Sequence, residues 1–336
     1  MNYRQLGNSG LRISEISYGT WLTVGLGLDN TNAMACMQTA LDNGINFIDT
    51  ADIYNRGQSE IVIGQFLKNI NRAEVIIGTK VFGPMSDHWI TQGLSYRHIR
   101  NACEASLKRL QTDYIDLYQC HRYDIDTPLE EVCFAMNQLI LQGKILYWGV
   151  SQWTAVQITN ALRICEKNGW QKPISNQPIY NMLNRGLEID VMDVCATEGL
   201  GLVVYSPLSQ GLLTGKYGRD TIPADSRAAN EIMNAYFPTK RLTEDFFNRM
   251  DALKDLAKQW QISMSNLALA WILAKKPITS CIIGASKQAQ IIENVNASGI
   301  ILDDKQMQQI EAILNNAPVD QYTGARIGYG IIKRGY

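Results

Sequence analysis

The feature that most narrows the fold of this chain is an alternation of two kinds of segment along nearly its whole length. Short apolar runs at 16–20, 46–49, 75–80, 114–120, 145–150, 174–177, 201–205 and 279–283 read as buried strands. The stretches 31–43, 58–68, 96–110, 128–142, 154–167, 186–198, 244–259 and 287–297 carry helical spacing. Strand followed by helix eight times over is the count that closes a (β/α)8 barrel. Residues 3–6 and 11–16 flank a Gly/Asn turn at 7–10, which predicts a hairpin before the first repeat, and 264–274 and 303–314 predict further helices. The first barrel helix has Asn30 or Thr31 as its expected N-cap and Gly44 just past its end. The expected architecture is α/β: a (β/α)8 TIM barrel with an N-terminal β-hairpin and additional C-terminal helices. No low-complexity run or long linker interrupts it, so residues 1–336 are expected to form a single domain.

A doubly wound open sheet is the structural alternative, and it would need a nucleotide fingerprint. Gly25-Leu26-Gly27-Leu28-Asp29-Asn30 has Asn where the third Gly belongs, with no convincing acidic residue about 20 positions on. Composition excludes other classes of function. With Lys plus Arg at 31 and Asp plus Glu at 32, the net charge of -1 offers no field for nucleic acid or an anionic membrane. No segment has signal-peptide character or reaches the roughly 18 apolar residues that span a bilayer, which predicts a soluble, cytoplasmic protein. The seven cysteines are scattered singly, and the three histidines include no close pair, so neither a disulfide framework nor a metal site is expected.

Three consecutive strand-like runs end on ionisable groups: 46–49 on Asp49, 75–80 on Lys80 and 114–120 on His121, one residue beyond. A buried carboxylate needs a partner, because an isolated charge out of water costs several kcal/mol even after relaxation. In a parallel barrel all strand C-termini open on one face, so the three groups converge there, and Tyr54 joins them from the loop after Asp49. An ammonium beside a phenol is expected to lower its pKa, Asp49 to hold that ammonium charged, and a neutral His121 to orient a carbonyl oxygen. Such a set suits protonation of a carbonyl oxygen while something else attacks the carbon. It lacks a nucleophile, a gap that hydride from a nicotinamide would fill.

Asp49-x4-Tyr54, Gly78-Thr79-Lys80 and Asp116-Leu117-Tyr118-Gln119-Cys120-His121-Arg122 resemble the aldo-keto reductases, NADPH-dependent (β/α)8 enzymes with an Asp, Tyr, Lys, His tetrad. Gly19-Thr20-Trp21, Trp148-Gly149-Val150-Ser151, Tyr205-Ser206-Pro207-Leu208 and Gly215-Lys216-Tyr217 are similar to the branch holding the voltage-gated potassium-channel β subunits and their bacterial relatives. The resemblance implies a catalytic tetrad of Asp49, Tyr54, Lys80 and His121. It implies that Ser151, Gln152 and Gln177 meet the nicotinamide carboxamide, with Asn176 on the same wall, and that Tyr205 stacks beneath the ring. Thr20, Trp21, Ser206, Pro207, Leu208 and Gln210 are implied neighbours of the cofactor. Lys216 is expected near the pyrophosphate, and Arg227 near the 2′-phosphate with Lys287 in support. Gly284, Ser286, Gln290, Glu293 and Asn294 match the adenosine end. NADP(H) is the implied cofactor and a small carbonyl compound the implied substrate. The channel subunits carry Asn where this chain has His121, which favours an enzyme.

Other residues have plainer readings. Asp52 is expected to be a turn or surface carboxylate, Trp89 and Trp153 surface or core aromatics, and Cys120 a packing residue, since neighbours on a strand face opposite sides. Tyr236 and Lys240 have the Tyr-x3-Lys spacing of short-chain dehydrogenases, but Pro238 between them disfavours the helix that motif needs. The tail, 321–336, is expected to cap the substrate side. Two rival functions stand beside carbonyl reduction: an NADPH-loaded binding subunit reporting redox state to a partner, and an aldolase using Lys80 as a Schiff base. The Asp49 pair disfavours the second by keeping Lys80 protonated. The sequence leaves the oligomeric state open, and a homo-oligomer is compatible with it.

Overall fold

The computed structural model describes residues 1–319 apart from 225, 231–233 and 235–236. A short antiparallel hairpin, β1 (Tyr3–Gln5) and β2 (Arg12–Ser14), comes first. Eight parallel strands follow: β3 (Ile16–Gly19), β4 (Phe47–Asp49), β5 (Ile76–Val81), β6 (Ile115–Cys120), β7 (Ile145–Ser151), β8 (Ser175–Gln177), β9 (Gly201–Tyr205) and β10 (Ile278–Ile283). They close into a barrel in chain order, with β10 returning to pair with β3. Strands buried on both faces read as continuous apolar runs rather than alternating ones, and β6 and β10 are buried at every position.

Around the barrel lie α1 (Asn30–Asp42), α2 (Gln58–Leu67), α3 (Tyr96–Leu110), α4 (Leu129–Leu141), α5 (Ala155–Asn168), α6 (Val191–Glu198), α7 (Glu244–Gln259), α8 (Met264–Leu273), α9 (Gln288–Val295) and α10 (Asp304–Leu314). Two expectations need correction. The N-cap of α1 is Asp29, whose carboxylate accepts the Asn32 N–H at 3.0 Å; neither Asn30 nor Thr31 caps the helix. The single helix expected over 186–198 is a 3-10 turn, Gly186–Glu188, followed by α6, with Asp190 breaking the path at φ −150. Glu188 is drawn aside there, paired with Arg185 at 2.8 Å and accepting the Tyr180 hydroxyl at 2.6 Å.

The hairpin closes the N-terminal end of the barrel. Leu6 and Ile13 pack on Phe47, Leu117, Val203 and Ile282, and none of these six is more than 6% exposed. Gly7, at φ +59, lets the hairpin turn lie against the barrel: a Cβ there would come within 2.3 Å of the Gly199 carbonyl oxygen. With that end sealed, the strand C-termini are left as the open face, which is where a site can form.

A buried histidine in α3 is expected to make the fold acid-sensitive. His98 is 5% exposed, its Nε2 has no hydrogen-bond partner among the described residues, and burial pushes its pKa down to about 4. Its folded pKa is below the unfolded value near 6.5, so its neutral form supports the fold fully above about pH 6.5. That support is lost as pH falls from there toward 4, by up to about 3 kcal/mol. Thermal melts at pH 7 and pH 4.5 should show a drop in the wild type that shrinks in His98→Gln. An equal drop in both would assign the acid sensitivity elsewhere.

Candidate active site

Asp49 is the last residue of β4, Lys80 sits near the end of β5, and His121 follows β6 directly. Lys80 Nζ lies 2.6 Å from Asp49 Oδ2, 2.7 Å from the Thr50 carbonyl oxygen and 3.3 Å from the Tyr54 hydroxyl. The ammonium also sits 5.0 Å from the Tyr54 ring centroid. The His121 ring meets the Tyr54 ring edge-on at 5.8 Å. The other carboxylate oxygen of Asp49 accepts Gln177 Nε2 at 2.8 Å and faces Gln119 Nε2 at 3.5 Å. The four groups expected from strand-end chemistry are therefore brought together.

Their electrostatics differ from expectation in one respect. Burial and the Asp49 charge hold the Tyr54 pKa well above 10, whereas a neighbouring ammonium was expected to lower it. Lys80 is already paired with Asp49, so the phenol faces a nearly neutral ion pair and desolvation decides the direction. Lys80 is itself pulled below its ordinary value by burial, against the opposing pull of Asp49. Burial, then the Lys80 and Arg122 charges, hold His121 well below 6.5. Around neutral pH the site thus holds a protonated phenol and a neutral imidazole.

Asp52, expected to be a turn or surface carboxylate, does lie in a turn, but that turn folds it inward and leaves it no exposed area. Neither carboxyl oxygen makes a hydrogen bond of normal geometry among the described residues. Burial and the nearby Glu60 raise its pKa well above the usual carboxylate range. Glu60, equally buried, is held by Arg109 Nε at 2.7 Å and the Thr79 hydroxyl at 2.6 Å.

A cavity of about 1270 Å³ runs from the tetrad across the open face. Ser151, Gln177 and Tyr205, at the ends of β7, β8 and β9, line it together with Asp49, Tyr54 and His121. The loop after β9 contributes Ser206, Pro207, Leu208, Gln210 and Lys216, and turns sharply through left-handed residues, with Ser206 at φ +51 and Gln210 at φ +53. Beyond lie Trp21 and Arg227, whose guanidinium sits 6.0 Å from the Trp21 ring centroid, beside Ser226, a buried hydroxyl with no hydrogen-bond partner among the described residues. Gly284, Ser286, Gln290, Glu293 and Asn294 form the far wall, where a Cβ on Gly284 would meet nothing within 4 Å.

Some expected contacts are not placed on this wall. Thr20 is fully buried, with its hydroxyl donating to the Asp49 carbonyl oxygen at 3.0 Å, so it positions Asp49. Gln152 points its amide at the Tyr205 hydroxyl. Asn176 faces away from the cavity, near Cys195 of α6, because Gln177 beside it points inward and strand neighbours alternate. Lys287 stands at the N-cap position of α9 and does not line the cavity. Cys120 and Trp153 are core residues and Trp89 is exposed, as read from the sequence. Tyr236 and the tail 321–336 lie outside the described residues. Among those described, no helix is long and apolar enough to cross a membrane, and no group of three or more His, Cys, Asp or Glu could hold a metal ion.

Arg122 was the functional-looking residue missed. It lines the cavity, its Nη1 donates to the His121 carbonyl oxygen at 2.6 Å, and it lies near the Tyr205 hydroxyl. Its position directly after His121 at a strand end was the available signal.

Comparison with known proteins identifies the family. The family model described as "Aldo/keto reductase family", a family of oxidoreductases that generally bind NAD(P)H, matches residues 15–315. A protein of Oryza sativa subsp. japonica named "Probable voltage-gated potassium channel subunit beta" is 40% identical over 327 residues, covering 95% of this chain and 98% of its own. A protein of the same name from Arabidopsis thaliana is 38% identical over 325 residues, with the same coverage. With the strand-end tetrad at the mouth of a closed eight-stranded barrel, this chain belongs to the aldo/keto reductase family.

Proposed function

We propose that this protein reduces aldehydes or ketones to alcohols with NADPH, and that Tyr54 delivers the proton to the carbonyl oxygen. The supporting observation is the Tyr54 hydroxyl 3.3 Å from Lys80 Nζ, with Lys80 pinned by Asp49 at 2.6 Å, on the wall of a cavity of about 1270 Å³. Because the phenol holds its proton firmly, it keeps that proton until negative charge develops on the substrate oxygen, and it then acts as general acid. The Lys80 ammonium stabilises the phenol oxygen as the proton leaves, and neutral His121 donates an N–H that orients the carbonyl. A bound dihydronicotinamide would supply the hydride that no side chain here can provide.

The residues present fit such a cofactor. Ser151 and Gln177 offer polar groups for its carboxamide and Tyr205 a ring face. Lys216 and Arg227 offer cations for its phosphates, and the open space over Gly284 admits the adenosine. In this reading residues 1–336 act as one cytoplasmic barrel domain on a small carbonyl substrate, with neither nucleic acid nor a membrane as partner. The names of the rice and Arabidopsis relatives favour a second reading, a cofactor-loaded subunit of a partner protein. Turnover separates the two: NADPH consumed by a panel of small aldehydes supports the enzyme, and bound NADPH left intact supports the subunit.

Preference for NADPH should rest on Arg227. A guanidinium can clamp a phosphate bidentately, and a charge-assisted hydrogen bond contributes about 1.5–3 kcal/mol. Arg227→Ala should weaken NADPH binding by roughly one to two decades and leave NADH nearly unchanged. Titration of both cofactors checks this, and equal losses for the two would mean the 2′-phosphate is read elsewhere.

A further inference from the structure

Three cations line the cavity among the described residues: Lys216 and Arg227 in the long insert after β9, and Arg122 at the tetrad. The first two stand where the proposed cofactor would carry its phosphates. Arg122 does not: it follows His121 in the chain, donates to that residue's carbonyl oxygen at 2.6 Å and reaches the neighbourhood of the Tyr205 hydroxyl, at the end that in the proposed function would receive an uncharged carboxamide ring. Its charge is felt by Tyr54, Lys80 and His121 alike, so it belongs to the space in front of the tetrad. The guanidinium is half-buried, and no carboxylate among the described residues pairs with it; the tetrad's own carboxylate, Asp49, is taken by Lys80. A cation partly withdrawn from water and left without a counter-ion is costly unless something arriving later supplies the anion. The cofactor has no anion to offer at this end.

We infer that Arg122 is a specificity-determining residue that anchors a carboxylate on the substrate, so that the preferred substrates are short aldehydes or ketones bearing a carboxylate a few bonds from the carbonyl. The inference rests on the reductase reading for its chemistry and on the placement of Arg122 for its choice of substrate. The planar fork of a guanidinium matches a carboxylate bidentately and would fix the acceptor carbonyl beside Tyr54 and His121. Since this contact persists from ground state to transition state, losing it should raise KM more than it lowers kcat.

The test uses the full chain loaded with NADPH and a matched pair of aldehydes, 4-oxobutanoate and butanal. The wild type should favour 4-oxobutanoate in kcat/KM by roughly 10- to 100-fold, the span expected of one charge-assisted bidentate contact. In Arg122→Gln the ratio should fall to near one, chiefly through the KM for 4-oxobutanoate. Arg122→Lys, which keeps the charge and loses the fork, should fall between. In parallel, the NADP⁺-loaded protein is titrated with succinate, an unreactive carboxylate, whose binding should depend on Arg122. If butanal is reduced as well as 4-oxobutanoate, the anchor is wrong and the reductase reading stands. If neither aldehyde is reduced but succinate binds through Arg122, the reductase reading fails and the anion site stands. No succinate binding and no turnover would overturn both. A loss of NADPH affinity in Arg122→Gln matching the loss of substrate preference would assign the guanidinium to the cofactor and overturn the inference.

Discussion

Tyr54→Phe should cut carbonyl reduction by roughly 10²–10⁴-fold, the range typical of a removed general acid, while cofactor affinity stays close to wild type. The substitution removes one oxygen, the one 3.3 Å from Lys80 Nζ, and keeps the ring that meets His121 edge-on at 5.8 Å. The packing around the site should therefore survive, and the loss should fall on the chemical step. Steady-state rates with an aldehyde panel, beside direct titration of NADPH, check both halves. Reduction within a few-fold of wild type would remove Tyr54 from the role of acid.

Lys80→Met should act on rate and stability together. Lys80 is fully buried, and Asp49 is 3% exposed. Without the ammonium, Asp49 keeps only the Gln177 contact at 2.8 Å and the longer one to Gln119. Breaking a buried ion pair on one side costs about 3–5 kcal/mol because the remaining charge is uncompensated. Activity should fall in the direction of Tyr54→Phe, since the phenol oxygen loses the cation that supports it as its proton leaves. The double variant Lys80→Met with Asp49→Asn removes the stranded charge, so it should regain much of the melting temperature and none of the activity. Recovery of both would mean that Lys80 serves the fold alone.

The parts of this site that could be read from sequence share one physical cause. A strand buried on both faces is a continuous apolar run, so an ionisable residue at its end stands out, and Asp49, Lys80 and His121 each did. Barrel topology then converts three ends distant in the chain into one cluster. Readings failed where the outcome depended on which way a side chain turns. Asn176 and Gln177 are adjacent polar residues, and only the strand's alternation sends one to α6 and the other to Asp49. Asp52 looks like any turn carboxylate until the chain folds it beneath the tetrad. Thr20 was expected to face the cofactor and instead fixes the Asp49 backbone. The phenol pKa was read from a single neighbouring charge, whereas burial and the ion pair as a whole determine it. Arg122 carried a weak signal, because an Arg after a strand is ordinarily solvated, and its meaning came from its place beside the tetrad on the cavity wall.

The most direct test of carbonyl reduction by this site is a single-turnover experiment on the protein loaded with one equivalent of NADPH and mixed with excess aldehyde. The absorbance of the reduced nicotinamide should disappear within the mixing and turnover time of the wild type, with one equivalent of alcohol formed. In Tyr54→Phe the same loss should be slower by at least 10²-fold. Bound NADPH that persists unchanged in the wild type across a broad panel of aldehydes and ketones, 4-oxobutanoate included, would contradict the assignment of carbonyl reduction to this site.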